Sequence, residues 1–159
     1  MTAAHPISAQ NRASSASVLA FDFGTRRIGV AVGEPLLGSA RPLTTINAED
    51  NTARFAAIAG LIAEWQPRQL VVGLALDMDG GEHEMTQRCR RFAHQLEGRF
   101  RLAVALVDER LSSVEAESRL AAQGQSWKQR KQTLDAEAAA TILHDYFSQQ
   151  GSSDSGKKQ

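Results

Sequence analysis

Apolar residues run from Val18 to Phe23 with Asp22 as the one interruption, pause at Gly24-Thr25, and return at Ile28, Val30 and Val32 in alternation as far as Gly33. That pattern predicts a β-hairpin. Arg41 to Ile46 predicts a third, weaker strand, with Gly33 to Gly38 as the loop between. Asp50 or Asn51 caps a helix in which Phe55, Ile58, Ile62 and Trp65 recur at helical spacing until Pro67 stops it. Gln69 to Leu74 is short and almost continuously apolar, as in a strand covered on both faces. A loop through Asp77 and Gly81 leads to a helix with Met85, Cys89, Phe92 and Leu96 on one stripe. Leu102 to Val107 predicts another buried strand. Ser112-Ser-Val-Glu115 is a capping box for a helix ending near Gly124. Gln125 to Thr133 reads as a polar, basic loop, and Thr133 caps a final helix packed through Ala136, Ala139, Ala140, Leu143 and Phe147.

A three-strand meander followed by two right-handed crossovers gives an α/β fold, a mixed five-stranded sheet with helices on both faces. The carboxyl ends of the first strand and of the two parallel strands then share one edge, where open α/β folds place their sites. Asp22 and Asp108-Glu109 fall on that edge. Ala139 and Ile142 continue the side of the last helix that Asp135 opens, so Asp135 faces protein rather than water. Each acid has an ordinary reading as well: Asp22 bonding the Gly24-Thr25 turn, Glu109 pairing with Arg110, Asp135 complementing the helix dipole. Three carboxylates at one edge are nonetheless costly to desolvate unless paired or bound to a cation. Together they suggest a metal-dependent phosphodiester site.

The 159 residues and 42% hydrophobic content fit one globular domain over residues 18–149, with residues 1–17 as a disordered leader and 150–159 as a disordered tail. A single cysteine, Cys89, excludes an internal disulfide and a cysteine-based zinc site, and it fits the reducing cytoplasm. Its spacing with Met85 and Phe92 places it in the core. Among the histidines, His83 reads as an exposed loop residue, and His94 and His144 as helix-surface residues. No run approaches the roughly 18 apolar residues of a membrane span, and the first residues lack the apolar centre of a secretory signal. Zero net charge argues against a broad electrostatic surface for nucleic acid, so any polyanion site is local. The candidates are Arg26-Arg27, the helix face with Arg88 and Arg91, and Trp127 to Lys131. In the last of these, Trp127 beside Lys128 and Arg130 suits stacking and charge contact with single-stranded RNA, anchoring of its own loop being the alternative.

Phe21-Asp-Phe-Gly-Thr-Arg-Arg-Ile-Gly-Val-Ala-Val-Gly33, Ala40-Arg-Pro-Leu43, Val71-Val-Gly-Leu74 with Met78-Asp-Gly80, and Val107-Asp-Glu-Arg-Leu-Ser-Ser-Val-Glu-Ala-Glu117 resemble the YqgF/RuvX family, from Val18 to about Phe147. These are RNase H-like proteins called Holliday junction resolvase-like or pre-16S rRNA nucleases. The resemblance implies an RNase H-like fold and a divalent-metal nuclease that matures the 5′ end of 16S ribosomal RNA. Ribosomal precursor particles are its implied setting, in a monomer or homodimer. It carries the catalytic and metal-binding acids to Asp22, Glu109 and Asp135. The family usually has Pro and Asn where this chain has Ala75 and Asp77, and Asp77 reads as a loop residue or a spare ligand.

The alternatives are a Holliday junction DNA endonuclease and a non-catalytic RNA-binding factor. An actin-like ATPase, suggested by Asp22-Phe-Gly24, needs two such domains, and the chain has room for one. Phosphodiester hydrolysis explains the acids, because two Mg²⁺ or Mn²⁺ ions roughly 3.5–4 Å apart activate water and stabilise the leaving oxygen. Asp22 would bridge them, with Glu109 and Asp135 on either side. Thr25, Arg26 and the backbone near Gly24 could hold a phosphate, while Arg110 stabilises charge or pairs with Asp108.

Overall fold

The computed structural model describes residues 16–76, 79–109 and 127–157, with 127–132 and 151–157 as backbone alone. Strands β1 (Val18–Phe23), β2 (Arg27–Glu34) and β3 (Ser39–Asn47) form an antiparallel meander. Helix α1 (Asn51–Trp65) leads to β4 (Gln69–Leu74), α2 (Glu84–Phe100) leads to β5 (Ala103–Asp108), and α3 (Trp127–Lys157) follows. The sheet order is β3-β2-β1-β4-β5, with β1, β4 and β5 parallel. This is the mixed five-stranded sheet with helices on both faces that the sequence predicts.

Alternation along the strands divides the core in two. Leu19, Phe21, Ile28, Val30, Leu70 and Val72 face α1 and α2, where Phe55, Ile58, Phe92 and Leu96 meet them. Val18, Ala20, Ala31, Val71 and Val107 face α3, where Ala139, Ala140, Ile142 and Leu143 meet them. Each large side chain so buried stabilises the fold by about 1.5–3 kcal/mol. Asp50 caps α1 as expected, its side chain accepting from the Ala53 amide at 3.0 Å. His83, expected in a loop, caps α2 instead, with Nδ1 accepting from the Met85 amide.

Two other elements differ from expectation. Strand β5 is an edge strand in which Ala103, Leu106 and Asp108 are exposed, Leu106 by 38%, and Val107 alone is buried. An edge strand has a neighbour on one side only, so an apolar run does not guarantee full cover. The expected loop before the last helix is helical from Trp127 onward, and Thr133 lies inside α3 rather than capping it. Lys, Gln and Arg are strong helix formers, so a polar stretch need not be a loop. The backbone stays helical through Lys157, past the expected domain end. The predicted helix from Ser112 lies outside the described residues. Among those described, no helix is long and apolar enough to cross a membrane.

Candidate active site

Three features of the backbone bring the acids to one edge. Asp22 is the last but one residue of β1, and strand alternation puts it on the α3 side with Val18 and Ala20. Its register partner on β2 is Gly29. A Cβ on Gly29 would stand 1.8 Å from the Asp135 carbonyl oxygen, so the missing side chain lets α3 lie directly on β2. The same face of β2 continues with Ala31 and Gly33, and α3 answers with Ala136, Ala139 and Ala140. Small residues on both elements permit this close approach, and it carries Asp135 to Asp22. On β4, a Cβ on Gly73 would stand 2.7 Å from Glu109 Oε2, so the Glu109 carboxyl occupies space that only glycine leaves open. The Glu109 amide donates to the Leu74 carbonyl at 3.3 Å, extending the β4–β5 ladder to the residue that carries the acid.

Asp22 and Glu109 are hydrogen-bonded through their side chains. Burial pushes the Asp22 carboxyl up to about 6, and the Asp135 charge adds to the rise, while the bond to Glu109 works against it. Burial also pushes Glu109 up to about 9, helped by the Asp22 charge, their shared hydrogen bond and Asp108. Desolvation and mutual repulsion thus push both carboxyls in the same direction, toward the protonated form. Two half-buried carboxyls in contact disfavour each other's charge, and a bound cation would offset that. Cys89 on α2 lies close enough to feel both acids, and burial first, then those charges, raise its thiol to about 11. It is an inert core thiol, as its spacing predicts.

Asp135 is not the first-turn acid that the sequence suggests. It lies well inside α3, and its Oδ2 accepts from Arg27 Nε at 2.6 Å with both side chains partly exposed. Among the described residues, no three His, Cys, Asp or Glu side chains converge tightly enough to hold a metal ion. Asp22 and Glu109 nevertheless fit a hard divalent cation, being half-buried oxygen donors in contact whose charge a cation would offset. Asp135 would complete that set by exchanging Arg27 for the cation.

The remaining expected residues lie around this edge. Thr25 and Arg26 are exposed on the β1–β2 turn, and the Gly24 carbonyl accepts from Arg54 at 2.5 Å. Arg110 and Asp77 lie outside the described residues. Trp127, Lys128 and Arg130 start α3, two turns or so before Asp135.

Sequence reasoning missed two arginines. Arg27, grouped by sequence with Arg26 as a candidate polyanion patch, is the partner of Asp135. Arg54 is 3% exposed, and it donates to the carbonyls of Ala48 and Gly24 while its guanidinium covers the Phe23 ring at 5.3 Å. Desolvation lowers its pKa, with Glu49 opposing. The signal for it was its place one turn before Ile58 on the stripe of α1, where a charged residue needs a buried partner.

The chain is similar to several known proteins. A protein of Methylobacillus flagellatus named "Putative pre-16S rRNA nuclease" is 60% identical over 134 residues, covering 84% of this chain and 92% of its own length. One of the same name from Neisseria meningitidis serogroup C is 52% identical, covering 86% and 91% respectively. Among solved structures, the chain is similar to Thermus thermophilus RuvC at 15% identity and TM-score 0.49, over 85% of this chain and 96% of that one. The family model RuvX, described as Holliday junction resolvase, matches residues 16–149, and with relatives this similar over most of their length the chain belongs to the RuvX family.

Proposed function

We propose that this protein is a Mg²⁺- or Mn²⁺-dependent nuclease that hydrolyses phosphodiester bonds at the 5′ end of pre-16S rRNA, in the cytoplasm where that substrate is made. The observation that carries this reading is the Asp22–Glu109 carboxyl pair, two acids in contact at the sheet edge, where burial and mutual repulsion disfavour their charge unless a cation offsets it. The names of its relatives supply the substrate. Asp22, Glu109 and Asp135 would hold the metal, which supplies Lewis-acid stabilisation of charge on the scissile phosphate and its leaving oxygen. Asp22 and Glu109 would serve as ligands in their ionised form. Arg27 holds Asp135 beside them. Thr25 and Arg26 offer a hydroxyl and a guanidinium to the phosphate from the exposed turn, and Arg54 fixes that turn from below. Arg110, Trp127, Lys128 and Arg130 are assigned to substrate binding from residue type alone.

Cleavage of a pre-16S rRNA fragment in Mg²⁺ by wild type and Asp22→Asn tests this. Loss of a metal ligand should slow cleavage at least about 10³-fold, with Glu109→Gln and Asp135→Asn behaving alike. Near-native turnover by Asp22→Asn sinks the proposed site. A four-way DNA junction, assayed in parallel, decides the substrate: cutting of the junction alone turns the reading to a resolvase. Binding of RNA with no cutting of either substrate turns it to a non-catalytic factor.

A further inference from the structure

Asp22 and Phe23 are neighbours on β1 whose side chains leave the sheet on opposite faces. Behind the acid pair, on the α1 and α2 side, Phe23 and Thr25 open onto a groove of about 310 Å³ between the amino end of α1 and the middle of α2. Three arginines line it. Arg54 forms its buried floor, held by the Gly24 and Ala48 carbonyls. Arg88 and Arg91, one turn apart on α2, stand exposed at its wall, and Asn51 and Gln95 add amides. One acid, Glu49, shares the lining, so cationic side chains outnumber anionic ones three to one. Arg88 pairs with Glu84 at 2.9 Å, an exposed contact of the kind that contributes about 0–1 kcal/mol and is easily exchanged for a better anion. Arg91 makes no ion pair among the described residues. In a chain of zero net charge, such a concentration of guanidinium on one concave surface is local by design of the fold.

We propose that this groove is a second nucleic-acid site, which grips a backbone phosphate of the strand beside the scissile bond. The inference rests on the nuclease reading and extends it. A strand laid over the carboxyl edge of the sheet meets Asp22 and Glu109 on the α3 side and then the groove on the other. The β1–β2 turn forms the saddle between them. Guanidinium groups are suited to phosphate oxygens through paired N–H donors. Arg54 acts here as a positioning residue, because it shapes both the turn and the groove floor. Arg88 and Arg91 make the contacts, which gives the molecule a grip on sugar-phosphate backbone separate from its cleavage chemistry.

The test is binding of a fluorescein-labelled single-stranded RNA, and in parallel of a four-way DNA junction, at several salt concentrations. Asp22→Asn serves as the background, so that binding is read without cleavage. Adding Arg88→Ala and Arg91→Ala removes two phosphate contacts. The slope of log affinity against log salt for RNA should flatten by about 1.4, so the variant's loss of affinity against its parent should be about 25-fold greater at about 0.1 M salt than at about 1 M salt. Arg88→Lys with Arg91→Lys should keep most of the slope. Arg68→Ala, which removes one arginine at the amino edge of the sheet, should leave both nearly unchanged. If the double alanine variant behaves like Arg68→Ala while the parent binds and wild type cleaves, the groove is not a strand site, and the nuclease reading stands. If the parent binds neither nucleic acid, both readings fall together. A flattened slope for the junction alone overturns the single-strand form of the proposal.

Discussion

At Gly29 an added methyl group would fall 1.8 Å from the Asp135 carbonyl oxygen, and helix backbone cannot move aside as a flexible side chain can. Gly29→Ala is therefore expected to destabilise the fold by about 1–3 kcal/mol in urea titration. It should also slow cleavage by more than the lost stability explains, because it lifts Asp135 away from Asp22. A variant as stable and active as wild type would show that α3 does not depend on this contact. Arg54→Ala should cost about 3 kcal/mol, since it leaves two carbonyls without their charged donor. Asp22 and Glu109 were legible from sequence because each ends an apolar strand. Asp135 was legible as an inward-facing residue, but its partner was not. A long, flexible guanidinium reaches across 108 positions of sequence, and nothing in local pattern encodes that reach.

Among the elements, α3 departs furthest from its predicted form. Gln132→Pro separates the two descriptions: in a loop it is nearly silent, but inside a helix it should cost about 3 kcal/mol by removing a backbone hydrogen bond and clashing with the preceding turn. Denaturant unfolding of that variant is the measurement. The hairpin, β4 and the two described helices before β5 could be read from period alone, since each has an apolar stripe matched to its geometry. The small face of β2, with Gly29, Ala31 and Gly33, was equally visible beside the alanines of α3. Its meaning appears only when the two are paired. β5 misled because its run of apolar residues carries no mark of its place in the sheet. At the edge, pairing is one-sided and half the strand meets water.

For the molecule as a whole, the acid pair makes stability depend on pH. Both carboxyls hold their protons more tightly in the folded chain than in the unfolded one, so the folded state binds more protons over this range. The stability they contribute is full below the ordinary carboxylate range and is lost as pH rises through about 6 for Asp22 and about 9 for Glu109. In chelator, Tm should fall as pH rises from about 5 to about 9, and Asp22→Asn should flatten that slope. Mg²⁺ or Mn²⁺ should raise the Tm of wild type by mass action, more so at high pH where the ligands are free of protons, and less in Asp22→Asn. Equal metal effects in both proteins would point to an ion bound elsewhere. The span from Arg27 to Asp135 has one more consequence, which concerns time rather than energy. During synthesis the hairpin and the first crossover can form while the last helix is still being made, because their contacts close early and the contacts of α3 close last. A ribosome-bound chain that has not yet released α3 therefore carries two of the three acids and cannot assemble the third. The proposed catalyst is latent until α3 has left the ribosome.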